Sequence, residues 1–262
     1  MNNKPRIVIT GSNGFIGSKL FTKLSKLNKN IFCLDRSKHS LFEVESLKNL
    51  LADAEVIYHL AGSTAGNGHN PGQDALIKNN VEATSNLIEG ISKFCKKPPL
   101  LVNMSTIQVY DKSVSEILET TNLSPANIYG ISKLVQETLV RQASNMNVIR
   151  SIIFRASNIY GEGHRPNHNS VIATFCHQIK NDIEVNLFAK GEAILDLIHV
   201  DSVIDVLANI RAINKNNSQI YNLASGNAIT INEVIENLQK ISGSEIKTKL
   251  VEGERRKFSI NV

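Results

Sequence analysis

Two sets of residues in this 262-residue chain have the types and spacing for catalysis. Tyr129 and Lys133 stand four apart where helical spacing begins, so they share one helix face. A free tyrosine, with a pKa near ~10, exchanges its proton too weakly for work at neutral pH. An ammonium within hydrogen-bonding reach favours the phenolate and brings the group into a usable range. Ser105 and Thr106 follow the apolar run 100–104, where a hydroxyl can hold a carbonyl or alcohol oxygen near Tyr129. The chemistry implied is proton exchange with a substrate oxygen, which needs a partner to carry hydride.

The segment 10–17, Thr-Gly-Ser-Asn-Gly-Phe-Ile-Gly, supplies a seat for that partner. It follows a strand-like run and opens a helical one, the context in which spaced glycines bind a dinucleotide. Gly11, Gly14 and Gly17 permit a tight turn, close backbone approach to a pyrophosphate and close helix–strand packing. Asn13, Phe15 and Ile16 complete the loop, and the free N–H groups of the helix start favour phosphate. Asp35 ends the second strand-like run, where an acidic group binds the adenosine ribose hydroxyls. Asp35 thus favours NAD. Arg36 could instead hold a 2′-phosphate, which leaves NADP open.

The elements that must position these groups alternate. Apolar, Ile/Val/Leu-rich runs at 6–10, 31–35, 55–60, 100–104, 148–154 and 219–223 read as strands covered on both faces. Helical spacing fills 15–27, 75–96, 127–146 and 200–213. This order predicts an α/β fold, a doubly wound parallel (Rossmann) sheet with ligands at the carboxyl ends of its strands. After Tyr160 the pattern loosens into a polar loop over 161–169, a helix near 170–180, a strand near 184–188 and a helix near 231–241. We assign 1–160, with 196–226 returning to it, to the dinucleotide-binding domain. Residues 161–195 and 227–262 are then a small substrate lobe.

A net charge of +5 comes from scattered lysines without a dense basic block, so no nucleic-acid partner is expected. No apolar run approaches the ~20 residues of a membrane span, and strand 6–10 begins too early for a signal peptide. Three spaced cysteines without a CxxC pair fit reduced thiols. The expectation is therefore a cytoplasmic protein. His164 and His168 have the spacing of a helical metal pair, but Pro166 lies between them and no metal site is expected. His59 reads as buried in the third strand, and His199 as a hydrogen-bonded packing histidine.

Together these residues resemble the extended short-chain dehydrogenases/reductases, the NAD-dependent epimerase/dehydratase group. The resemblance covers nearly the whole chain: TGSNGFIG at 10–17, IYHLAG at 57–62, NNVEAT at 79–84 and YGISK at 129–133. RASNIYG at 155–161, IHVDSV at 198–203 and YNLASG at 221–226 continue it. It implies Tyr129 as acid/base, Lys133 as its partner and ribose ligand, and Thr106 as the catalytic hydroxyl beside Ser105. It further implies Leu60, Ala61 and Gly62 at the cofactor, with Asn158 facing substrate; Arg165 and Asn169 join the substrate set. Substrates of the family are mostly nucleotide-activated sugars, and its members commonly form homodimers through helices 75–96 and 127–146.

Departures from the family pattern narrow the choice. Sugar 4,6-dehydratases carry Asp-Glu where this chain has Ile107 and Gln108, so water elimination lacks its acid and base. Leu195 and Val251 stand where phosphate-gripping arginines are common, and an aliphatic side chain does not replace a guanidinium. Other cations, among them Arg165, Arg255 or Arg256, would have to serve. The segments 105–108 and 165–176 are similar to reductase domains of capsule and O-antigen enzymes that make N-acetyl-L-fucosamine precursors, which use NADPH. The expected activity is an NAD(P)-dependent 4-keto reduction of a nucleotide sugar. A 4-epimerase that retains NAD, and a catalytically silent dinucleotide-binding scaffold or sensor, are the alternatives.

Overall fold

The computed structural model describes residues 5–27, 30–64, 72–111, 113–167, 170–210, 218–243, 245–251 and 259–260. The apolar runs form strands because each is buried on both faces. β1 (Ile7–Thr10), β3 (Val56–His59) and β4 (Leu100–Thr106) are buried at every position. With β2 (Ile31–Cys33), β6 (Arg150–Ala156) and β10 (Ser218–Leu223) they make a six-stranded parallel sheet, in the order β10-β6-β4-β3-β1-β2. The chain steps outward from β1 to β2 and then crosses back to β3. The strand order therefore reverses between β1 and β3, the point where such sheets bind ligands.

Helices cover both faces. On one side α1 (Phe15–Leu27) and α7 (Val200–Ala208) bury Leu20, Leu24, Val203 and Leu207 against Ile9, Val102 and Phe154. On the other, α4 (Ala83–Phe94) and α5 (Ile128–Asn145) bury Leu87, Ile91 and Val140 against Val8, Ile57, Leu101 and Ile153. The short α2 (Lys48–Leu51) adds Leu50 and Leu51 to this side. Each such side chain contributes about 1.5–3 kcal/mol.

Later segments build smaller units. β7 (Asn158–Tyr160) pairs with β9 (Ile194–His199), and β9 pairs with β11 (Ala228–Thr230). α6 (Val171–Lys180), β8 (Val185–Phe188), α8 (Ile231–Ser242) and β12 (Thr248–Val251) enclose a separate cluster that includes Phe175, Val185, Leu187, Val234 and Ile235. α8 begins in a capping box between Thr230 and Glu233 and stops at Gly243 with a left-handed φ. β13 (Ser259–Ile260) pairs with the two-residue β5 (Glu116–Ile117).

Several boundaries differ from the sequence expectation. β2 ends at Cys33 rather than residue 35, because the Asp35 carboxylate turns back to accept from the Ser37 N–H and hydroxyl. β4 continues past Met104, so Ser105 and Thr106 are strand residues paired with Arg155 and Ala156. The helix expected over 75–96 is three pieces: α3 (Gln73–Ile77), a π turn (Lys78–Glu82) and α4. The extra residue of a π turn is a local insertion that apolar periodicity does not register.

Candidate active site

The carboxyl ends of β1, β3, β4 and β6 open into one cavity of about 540 Å³. Phe15 and Ile16 of the glycine loop, Leu60, Ala61 and Gly62 after β3, and Ser105 and Thr106 of β4 all line it. So do Tyr129 and Lys133 from α5, Asn158 and Leu195.

The glycine loop has the tightness a pyrophosphate seat needs. Gly11 has φ +72°, and a side chain there would lie 2.6 Å from the Ala61 backbone nitrogen. A side chain on Gly17 would strike the Gly11 carbonyl oxygen and lie 2.9 Å from Ser12 Cα. These close backbone approaches fit a dinucleotide cradle. Asn13 and Gly14 are exposed at the turn, and the Gly14 N–H reaches the Gly11 carbonyl at 3.0 Å. Asp35 is exposed, and the Ser37 backbone N–H and hydroxyl hold its carboxyl below the usual carboxylate range. Arg36 is exposed beside it.

α5 starts where the Asn127 side chain accepts from the Gly130 N–H at 2.8 Å, a helix cap that sets Tyr129 one residue into the first turn. Tyr129 and Lys133 are each 7% exposed. Burial pushes the Tyr129 phenol up to about 12, and a hydrogen bond with Thr106 works in the opposite direction. Burial lowers the Lys133 ammonium to about 8, opposed by the charge of Glu137. The sequence expectation that Lys133 depresses the Tyr129 pKa needs correction: Lys133 donates instead to Gln136 Oε1 at 2.7 Å, and Thr106 is the group that favours the phenolate.

Ser105 also departs from expectation. Its hydroxyl donates to the buried Glu137 carboxylate, so it can present only lone pairs to the cavity. Glu137 in turn is held by the Arg155 guanidinium, with Nη2 at 2.7 Å, both side chains being almost wholly buried. Arg155 Nη1 donates to the Tyr110 hydroxyl at 3.0 Å, and Tyr110 donates to Asn222 Oδ1. This ion pair went unread in the sequence. Its one signal is Glu137 at the next helical turn after Lys133, combined with Arg155 directly after the apolar run 152–154.

The substrate-facing set is only partly assembled. Asn158 lines the cavity and donates to the Asp196 carbonyl at 3.1 Å. Arg165 is exposed and does not line it, whereas its neighbour His164 does, packed edge-on against Phe15 at 4.5 Å. Asn169, His168, Arg255 and Arg256 lie outside the described residues. His199 caps α7 by accepting from the Asp201 N–H, and His59 is buried in β3 as read. Among the described residues no group of three His, Cys, Asp or Glu side chains is arranged to hold a metal, and no helix is long and apolar enough to cross a membrane.

The family model for the NAD dependent epimerase/dehydratase family matches residues 7–224. The chain belongs to that family. It is 27% identical over 240 residues to UDP-2-acetamido-2,6-beta-L-arabino-hexul-4-ose reductase of Pseudomonas aeruginosa, a match covering 91% of this chain and 58% of that protein. It is 26% identical to a putative UDP-glucose 4-epimerase of Methanocaldococcus jannaschii, over 98% of this chain and 90% of that one. The UDP-glucuronic acid 4-epimerase of Bacillus cereus, solved with UDP-glucuronic acid and NAD, superposes with a TM-score of 0.83 at 22% identity. That superposition covers 97% of this chain and 88% of the epimerase, and it shows a shared fold.

Proposed function

We propose that the chain is an NAD(P)-dependent oxidoreductase acting on a nucleotide-activated sugar, with 4-keto reduction as the leading reaction. The observation that carries the reading is the meeting of Thr106, Tyr129 and Lys133 in one cavity beside the glycine loop. Gly11, Gly14, Gly17, Ala61 and Gly62 would hold the dinucleotide, and Asp35 its adenosine ribose. When bound, the dinucleotide supplies or withdraws a hydride at a sugar carbon.

The chain's own residues do the rest. Tyr129 gives its phenolic proton to the sugar oxygen during reduction and takes it back during oxidation. Thr106 orients that oxygen and stabilises the phenolate. Lys133 holds its positive charge in the same cavity and reaches the nicotinamide ribose. Asn158 contacts the substrate, and α6, β8, α8 and β12 form a lobe over it. Exposed Ile77, Ile131 and Val135 support a homodimer through the helices around them.

A 4-epimerase is the second reading, favoured by the nearly full-length match to the archaeal relative. It uses the same groups twice, oxidising the sugar and then reducing it from the other face. Cofactor turnover separates the two. A reductase consumes NAD(P)H in proportion to a 4-keto UDP- or dTDP-sugar. An epimerase interconverts UDP-sugars without net consumption. The absence of both activities with all of these sugars would overturn the proposal.

A further inference from the structure

Behind Lys133 lies a run of fully buried polar side chains whose hydrogen-bond directions can be deduced one after another. Thr84 Oγ1 donates to the Asn80 carbonyl at 2.7 Å, inside the π turn. Having given its only proton there, Thr84 can only accept from its other neighbours. Gln136 must therefore present its NH2 to Thr84, at 2.8 Å, and His59 must present a protonated Nε2, at 2.9 Å. With Nε2 carrying the proton of a neutral ring, His59 Nδ1 accepts from Thr10 Oγ1 at 2.8 Å. Thr10 Oγ1 in turn accepts from the Ala61 N–H at 3.2 Å. Every donor on the path meets an acceptor.

The neutral ring follows from its surroundings. His59 is 1% exposed, and burial together with the Lys133 charge drives it down to about 3. The amide orientation of Gln136 follows as well. Its NH2 is committed to Thr84, so its carbonyl oxygen is the atom that faces the Lys133 ammonium. A flipped amide would aim N–H groups at a buried cation.

We propose that Gln136 is a positioning residue for Lys133, its amide locked by a relay through Thr84 and the Nε2–H tautomer of His59 to Thr10 and Ala61. The relay ends on the strand termini that flank the glycine loop, so it joins the proposed dinucleotide seat to the ammonium. The proposal rests on the hydride-transfer reading only for what Lys133 does, not for how it is held. The titratable groups that act on Lys133 or feel its charge are Glu137 on α5 and His59 on β3, and Tyr129 lines the same cavity. Gly62 approaches from the β3 end, where a side chain would lie 3.9 Å from the ammonium nitrogen.

Two measurements test this without turnover. In 15N-histidine-labelled protein, with the His59 signals assigned through His59→Gln, His59 should be neutral and protonated at Nε2 from pH 8 down to pH 5. A ring protonated at Nδ1, or titrating near the ordinary histidine range, would overturn the relay. In protein labelled with 13C at the lysine ε-carbon, Lys133 should titrate lower in Gln136→Leu by about one pH unit, the scale of one lost charge-assisted hydrogen bond. It should titrate higher in Gln136→Glu. Thr84→Val, which leaves Gln136 and Lys133 in place, should move it down by a smaller amount. An unmoved Lys133 in folded Gln136→Leu and Thr84→Val, judged by retained thermal unfolding, would refute the positioning role. A Lys133 that moves while the pH profile of turnover does not would leave the relay standing and sink the catalytic assignment of Lys133 instead.

Discussion

Gly17→Ala is the sharpest probe of the glycine loop. Gly17 sits in the first turn of α1, where alanine would ordinarily improve helix propensity by about 1 kcal/mol. Its Cβ, however, would meet the Gly11 carbonyl oxygen closely, Gly11 C at 2.8 Å and Ser12 Cα at 2.9 Å. All three are backbone atoms, so relief requires the helix start and the loop to separate. Overpacking of that kind costs about 1–3 kcal/mol, which exceeds or cancels the propensity gain. The moved atoms are those that must cradle the pyrophosphate, so dinucleotide affinity should fall at least about tenfold, or ~1.4 kcal/mol. Gly14→Ala is the control for the packing cost alone, because its Cβ meets only the Gly11 oxygen, at 3.2 Å, and it should unfold close to the parent. Titration of intrinsic fluorescence or calorimetry with NAD and NADP reads the affinity, and circular dichroism reads the unfolding temperature. If Gly17→Ala binds the dinucleotide as tightly as the parent, the loop is not the seat argued for.

Three further outcomes follow from particular contacts. Glu137→Ala strands the buried Arg155 charge and should cost about 3–5 kcal/mol in denaturant unfolding, whereas Glu137→Leu with Arg155→Met should recover most of the loss. His59 binds a proton in the unfolded chain near ~6.5 but in the folded protein only near about 3. The unfolded state thus holds the extra proton between those values, so stability present above pH 6.5 is lost as pH falls, by up to about 1.4 kcal/mol per unit. His59→Gln should flatten that slope in urea titrations at pH 7, 6 and 5. Asp35→Asn removes an ionised carboxylate from the expected ribose site and should raise the NADP-to-NAD affinity ratio by about tenfold, the scale of ~1.4 kcal/mol; an unchanged ratio would mean that Asp35 does not choose the cofactor.

Much of this arrangement was legible in the sequence because it depends on pattern and neighbours along the chain. The apolar runs gave the sheet strands, the spaced glycines gave the loop, and the four-residue spacing gave Tyr129 and Lys133 on one face. The groups that went unread depend on contacts between distant segments. Gln136 looks like one more polar residue on a helix until Thr84, 52 positions away, fixes its amide. Arg155 and Glu137 belong to different elements, and only the packing of α5 on β6 makes them a pair. The π turn places Asn80 where its amide reaches Ser132 and Ser63, an insertion of one residue that helical periodicity smooths over. Asp35 was expected to end the second strand, but its local turn with Ser37 stops the strand two residues earlier, at Cys33.

The central claim is that Tyr129 moves the proton that accompanies hydride exchange at a sugar carbon. Tyr129→Phe removes one oxygen from a buried side chain and leaves the ring's packing intact. Turnover of the parent and the variant should be compared with NAD(P)H and a 4-keto UDP- or dTDP-sugar, and with NAD and the UDP-hexoses, alongside dinucleotide affinity. The variant should bind the dinucleotide within about threefold of the parent, a difference under ~0.7 kcal/mol, while turnover falls by about 10²–10⁴-fold. Undiminished turnover in Tyr129→Phe with any sugar the parent accepts would contradict the mechanism.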